Sequence, residues 1–226
     1  MSNHITAKWA PQALTDLVFE SRSLCEYAKS AVKNDTLPDH LLLWGPPGSG
    51  KTSLVSILAD YMSSAAVKNP GTVAKISATT SEADILSEIE GAFQSAASFM
   101  GPWYLLLNEM DRLRPKSQTR LKELMDGKTS ARLLATINDI RKVDQALRDR
   151  FRMFEVKVPS PAQFLPRARL IMQTEVRGKS VGDDVLMALL SRDVAAQSVR
   201  SVRGYMQALD DLIAFLSGRS DMNPLL

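Results

Sequence analysis

Apolar residues in this chain gather into short continuous runs, and the stretches between them carry apolar positions at helical spacing. Leu41-Leu42-Leu43-Trp44, Trp103-Tyr104-Leu105-Leu106-Leu107 and Arg132-Leu133-Leu134-Ala135-Thr136 are such runs, and Thr72-Val73-Ala74-Lys75-Ile76-Ser77 and Met153 to Val158, which carry polar residues among the apolar ones, are read as two further strands. Apolar runs this short, without polar alternation, predict strands covered on both faces. Helices are predicted over 12–33, after the run at Trp44 (Leu54, Val55, Ile57, Leu58, Tyr61, Met62), over 82–97 (Ile85, Leu86, Ile89, Phe93), over 115–126 and near 143–149. Asn34 to Asp39, Lys68-Asn69-Pro70-Gly71 and Gly101-Pro102 punctuate them. Strands alternating with helices predict an α/β domain, a parallel sheet between helices.

Pro159-Ser160-Pro161 reads as a domain boundary. Beyond it the pattern is purely helical, over about 161–174, 182–191 and 198–217, with Gly178 and Gly182 in a turn. Pro166 leaves the start of the first of these helices open. The expected division is an α/β domain at 1–158, a small all-helical lid at 159–220 and a tail at 221–226.

The strand-to-helix junction at Trp44 carries the strongest chemical signal. Gly45-Pro46-Pro47-Gly48-Ser49-Gly50-Lys51-Thr52 is a complete G-x-x-x-x-G-K-T loop. Its glycines let successive N–H groups turn inward on a phosphate, and the helix that follows adds the positive end of its dipole. Lys51 reaches the outer phosphates, the Thr52 hydroxyl ligates Mg2+, and Ser53 continues the helix start.

Three further strand ends and loops supply the remaining chemistry. Leu107-Asn108-Glu109 closes the third strand, where a phosphate-loop protein keeps an Asp for the metal followed by a Glu for the attacking water. Asn108 stands at the metal position and Glu109 at that of the base. Asn138 ends the next strand and is placed to hold the water or the terminal phosphate as a sensor. In Leu147-Arg148-Asp149-Arg150-Phe151, Arg150 is offered to a neighbour's terminal phosphate, with Arg148 as its rival. Arg203, or Arg200 one turn earlier, folds back on the nucleotide from the helical part.

Composition trims the alternatives. A chain of 226 residues with one cysteine, Cys25, and two histidines, His4 and His40, supports neither an intrachain disulfide nor a metal cluster. Without an apolar leader or a membrane span of roughly 18 residues, the expectation is a soluble protein, cytoplasmic or, in a eukaryote, nuclear. Net charge is only +3, but Arg112, Arg114, Lys116, Arg120, Lys122, Lys128 and Arg132 cluster after the third strand. Arg112, Arg114, Lys116 and Arg120 form the first part of this cluster, which reads either as a solvated helix face or, in the light of the resemblance given next, as candidate DNA contacts.

Together these motifs resemble the AAA+ ATPases, and within them clamp-loader ATPase subunits such as the small subunits of replication factor C. The resemblance begins at Lys8-Trp9-Ala10-Pro11-Gln12-Ala13-Leu14-Thr15-Asp16-Leu17-Val18, continues through Asn34 to Gly48 and Ile76-Ser77-Ala78, and reaches the Arg203 region, about 8 to 217. It implies adenine held near Leu17 and Val18, Mg-ATP on the Gly45 to Ser53 segment, Glu109 as base, Asn138 as first sensor, Arg150 acting in trans and Arg203 as second sensor. It also implies a homo- or hetero-oligomer closed through the ATP site, DNA as a partner in replication, a clamp or helicase as a protein partner, and no membrane. Asp149-Arg150-Phe151 departs from the family's Ser-Arg-Cys, and the sequence ending at Leu226 leads us to expect no helical collar. Asn108 implies slow hydrolysis. Two other readings stay open: a protein-remodelling machine, which needs an aromatic loop absent from Ala78-Thr79-Thr80-Ser81-Glu82 and misplaced at Phe99-Met100-Gly101, and a scaffold merely ordered by ATP.

Overall fold

The structure is a computed structural model that describes residues 4–76, 82–98, 102–127, 130–176, 181–191 and 200–218. The segments Ala78 to Ser81 and Phe99-Met100-Gly101, together with Lys128, Gly178 and the tail, lie outside the described residues. By contacts the chain divides into two compact units. One holds Ser21–Pro46 and Lys51–Val156; the other holds the described residues up to Glu20, the loop tip Pro47–Gly50 and the chain from Lys157 onward.

The larger unit is built on a five-stranded sheet. Its elements are α2 (Arg22–Lys33), β1 (His40–Trp44), α3 (Lys51–Met62), β2 (Thr72–Ile76), α4 (Glu82–Ser98), β3 (Trp103–Leu107), α5 (Pro115–Asp126), β4 (Ala131–Ile137), α6 (Gln145–Arg148) and β5 (Phe151–Glu155). All strand pairs are parallel, in the order β2-β3-β4-β1-β5. Leu41, Leu42 and Leu43 are fully buried, as helices on both faces require and as the uninterrupted apolar run predicts. Ile85, Ile89 and Phe93 of α4 and Leu121 of α5 pack on Leu105, Leu107, Leu133 and Ala135 to form the core of this unit.

Register fixes where the strand ends fall. Leu107 pairs with Ala135 and Trp44 with Ile137, so Asn108 lies level with Thr136 and Gly45 level with Asn138 along one edge. Loops at the carboxyl ends of parallel strands are where such sheets bind ligands.

Two elements differ from expectation. The helix expected over 12–33 is a short 3-10 turn at Leu14–Asp16, an extended link and then α2. The Asp16 carboxylate accepts the Gln12 and Ala13 N–H groups at 3.0 Å each and closes the turn, while Ser21 accepts from Leu24 N–H and starts the helix afresh. The last strand begins at Phe151 rather than Met153, because Phe151 pairs with His40 at the start of β1.

His40 also seals the opposite edge. Its Nδ1 accepts the Leu133 N–H at 2.9 Å, which requires a neutral ring. Burial, and then the nearby Arg132 charge, push its pKa from 6.5 down to about 4, against the pull of Asp39. The unfolded chain therefore binds the proton first, and stability is lost as pH falls from about 6.5 to 4, by about 3 kcal/mol for this residue. His40→Gln should flatten that part of the urea-stability profile; an unchanged slope between pH 6.5 and 4 would contradict the assignment.

The smaller unit comprises α1 (His4–Lys8), α7 (Pro161–Glu175), α8 (Asp183–Ser191) and α9 (Val202–Leu216). Its core is Phe164, Ala168, Ile171, Leu186, Leu190, Leu209 and Leu212 with Ile5 of α1 inserted among them. Trp9 donates to Glu175 at 2.7 Å, Lys8 pairs with the same carboxylate at 2.8 Å, and Arg167 stacks over Trp9 while pairing with Asp16. A Ser160/Gln163 capping box opens α7, and the helix runs through Pro166.

Candidate nucleotide site

At the end of β1 the backbone turns on three glycines with positive φ: Gly45 at 146°, Gly48 at 72° and Gly50 at 97°. A Cβ on Gly45 would lie 2.4 Å from the Val156 carbonyl oxygen, whose own N–H donates to Trp44 O at 2.7 Å, so only glycine fits. A Cβ on Gly48 would meet Ser201 Cβ at 2.9 Å and Arg203 Cβ at 3.7 Å. The Val202 N–H donates to Gly48 O at 3.0 Å, so the loop tip, Pro47 to Gly50, touches the start of α9 and brings Arg203 to it. Arg203 is exposed there. The rival Arg200 is exposed too, just before Ser201 caps α9 through Gly204.

Lys51 opens α3 and is only 6% exposed. Its ammonium donates to the Gly45 and Pro46 carbonyls at 2.8 Å each. Burial pushes its pKa from 10.5 down to about 8, opposed by the negative charges of Asp111 and Glu109. Ser49 is 6% exposed, and its buried hydroxyl has no hydrogen-bond partner. A buried ammonium, an orphaned hydroxyl, a glycine cradle and the start of a 12-residue helix fit a polyphosphate chain. Thr52 is exposed at the first turn, its hydroxyl suited to a divalent metal, and Ser53 is half-buried behind it.

On the same edge, the Thr136 hydroxyl donates to Asn108 Oδ1 at 3.1 Å and accepts the Glu109 N–H at 3.2 Å. Glu109 holds a left-handed backbone, φ 57° and ψ 43°, a strained conformation of the kind that collects at functional sites. Its carboxylate pairs with Arg112 at 2.6 Å. Asp111 Oδ2 accepts the Asn138 and Asp139 N–H groups at 3.3 Å each, which fixes the backbone that carries Asn138. Thr136 and Asp111 escape a sequence reading of site residues; the β3–β4 register is the signal that reveals Thr136. Behind them Gln118, 3% exposed, donates to the Leu113 and Lys142 carbonyls and accepts from Asp144 N–H, so α5 is tied to the loop ahead of α6.

Arg150 is not with these groups. It precedes β5, and because β5 runs parallel to β1 from His40↔Phe151 to Trp44↔Glu155, Arg150 sits at the opposite sheet edge from the phosphate loop. Arg148, the rival, is half-buried with an unpartnered Nε. Leu17 and Val18 lie half-buried in the smaller unit, Val18 against its core. Among the candidate DNA contacts, Arg112 pairs with Glu109, and Arg120 pairs with Glu90 at 2.6 Å and Glu123 at 2.8 Å. The segment therefore presents no uniform positive face; Arg114 and Lys116 are exposed on it.

A parallel sheet with a glycine phosphate loop at a strand end, an acidic motif beside it and an arginine at the far edge defines a phosphate-loop nucleotide-binding protein. The model of the "ATPase family associated with various cellular activities (AAA)" matches residues 41–159, and the chain belongs to that family. ATP, with Mg2+ as its usual companion, is the ligand that this fold implies.

Known relatives agree. The chain is 29% identical over 190 residues to replication factor C subunit 5 of Mus musculus, covering 81% of this chain and 54% of the relative. It is 28% identical to replication factor C subunit 3 of Oryza sativa subsp. japonica, covering 81% and 51%. It thus spans about half the length of the curated relatives it matches. Among solved structures, Thermotoga maritima RuvB, a Holliday junction branch migration motor, superposes with a TM-score of 0.63 at 16% identity, over 96% of this chain and 74% of that one; at that identity the likeness concerns the fold. No helix among the described residues is long and apolar enough to cross a membrane, and none of their His, Cys, Asp or Glu side chains cluster as a metal site.

Proposed function

We propose that this chain is the ATP-hydrolysing subunit of an oligomeric, DNA-associated machine of clamp-loader type, each nucleotide bound by one copy and completed by the next. The observation that carries this reading is the position of Arg150. Five residues of strand, roughly 16 Å at the usual rise, separate it from its own phosphate loop, so the site it can serve is a neighbour's.

In this account the loop amides and Lys51 hold the β- and γ-phosphates. The Thr52 hydroxyl and Asn108 would hold Mg2+, which when bound would neutralise charge on the phosphates. Glu109 takes the proton of the attacking water as the β–γ bridging P–O bond breaks, which requires its pair with Arg112 to open. Asn138 orients the water, Arg203 reports on the phosphates from the loop tip, and Leu17 and Val18 hold the adenine. Asn108 lacks the charge of a carboxylate, so hydrolysis is slow relative to binding. The likeness to replication factor C supports DNA as a partner, contacted through Arg114 and Lys116 with Arg112 and Arg120 once their carboxylates release them.

A non-hydrolysable ATP analogue should drive the protein into a discrete particle in sedimentation, and DNA should bind that particle with an affinity that falls steeply with salt. A protein that stays monomeric with analogue and DNA together would contradict the proposal.

A further inference from the structure

The guanidinium of Arg150 is held by its own chain on two sides. Nε donates to Asp126 Oδ1 at 2.7 Å and Nη2 to Asp126 Oδ2 at 2.6 Å, a bidentate pair, while Nη1 donates to the Ala146 carbonyl. Asp126 is the last residue of α5 and Ala146 lies in α6, so two separate elements fix the plane of the group. The carboxylate holds the guanidinium pKa above its ordinary value, and Arg150 draws the Asp126 carboxyl below its own.

A guanidinium has five N–H donors. Three are committed to Asp126 and Ala146, which leaves two for an incoming oxyanion. Arg150 lines an open cavity of about 360 Å³ whose charged lining is mixed, Arg132 and Arg152 with Asp39 and Asp149, so the side of the guanidinium that faces it is accessible. A long side chain held this way loses little further rotamer freedom when it meets its ligand.

Resting on the reading of Arg150 as the residue offered to a neighbouring copy, we propose that Asp126 is its positioning residue: it sets the guanidinium plane and leaves two N–H groups presented to the neighbour's terminal phosphate. Asp126 itself touches no nucleotide. It acts through Arg150 alone, so the two residues form one functional pair.

The test is a double-mutant cycle read by the protein concentration at which an ATP analogue drives assembly. Arg150→Ala should abolish analogue-driven assembly at concentrations where the parent assembles fully. Asp126→Ala should weaken it about tenfold, and adding Asp126→Ala to Arg150→Ala should change nothing more, the non-additivity of residues that act together. Nucleotide binding by the unassembled protein should be unaltered in all three variants. Asp126→Asn, isosteric and uncharged, carries the same test if the alanine variant unfolds early. The proposal is overturned if Asp126→Ala assembles as well as the parent or more tightly, the mark of a carboxylate that masks Arg150, or if it weakens residual assembly in the Arg150→Ala background. Normal assembly by Arg150→Ala would instead overturn the reading of Arg150 itself.

Discussion

Replacing Lys51 with methionine is expected to remove ATP binding while making the ligand-free protein more stable. Lys51 is buried at the head of α3, and its pKa is depressed from 10.5 to about 8 because the charged form has lost water. At neutral pH the folded chain therefore carries a protonated ammonium that the unfolded chain holds more comfortably. A shift of that size corresponds to about 3 kcal/mol. The penalty is present in full below pH 8 and fades as pH rises toward 10.5, since in that window the unfolded state still binds the proton and the folded one has released it. The parent should thus gain stability between pH 8 and 10.5, and Lys51→Met should start higher and show no such gain. Methionine preserves the stem's packing but gives up the two hydrogen bonds to Gly45 and Pro46 carbonyls, which reduces the net gain. Affinity for ATP, measured by calorimetry, should fall at least about a hundredfold, the size expected when a buried charge-assisted phosphate contact is removed. Retained affinity, or a Tm below the parent's at pH 7, would contradict this account of the loop.

Asn108→Asp is expected to act in the opposite sense, raising turnover without repairing any defect in the fold. Asn108 Oδ1 already accepts the Thr136 hydroxyl, and an aspartate accepts it equally well, so the side chain stays where it is. What changes is one unit of negative charge beside the position proposed for the metal. In a partly buried site such a charge is worth a few kcal/mol to a divalent cation, and turnover should rise about tenfold or more at saturating ATP. The Mg2+ concentration for half-maximal activity should fall together with it. Equal turnover at saturating Mg2+ would show that position 108 does not limit hydrolysis, and attention would pass to the Glu109–Arg112 pair.

How far each feature could be read in advance follows from the range of the interactions behind it. β1, β3 and β4 are written in continuous apolar runs because both sheet faces are covered, and the phosphate loop is written in glycines because Gly45 backs onto Val156 and its backbone is left-handed. Such constraints are local. The start of β5 is not: it is set by pairing with His40 more than a hundred residues earlier in the chain. The same holds for α1, whose Ile5 enters a core made of α7, α8 and α9, and for Trp9, whose partner is Glu175. The break before α2 was hidden because the apolar spacing runs on through it, while Asp16 bends the backbone by accepting two N–H groups. At the site, Asn108, Glu109 and Asn138 declared themselves as strand ends. Thr136 and Asp111, which join them, became visible only through strand register and side-chain hydrogen bonds.

The proposed function turns on Arg150, which lies at the end of the sheet opposite its own phosphate loop and is proposed to serve a neighbour's site. The most direct measurement is complementation between two disabled variants. Lys51→Met copies bind no ATP but retain Arg150; Arg150→Ala copies bind ATP but offer no arginine. Each alone should hydrolyse ATP at background rate, and an equimolar mixture should recover a substantial fraction of the parent's turnover, because interfaces that join the two kinds of copy restore complete sites. A mixture no more active than its components, under conditions where the parent assembles and turns over, would contradict a site shared between neighbouring copies of this chain.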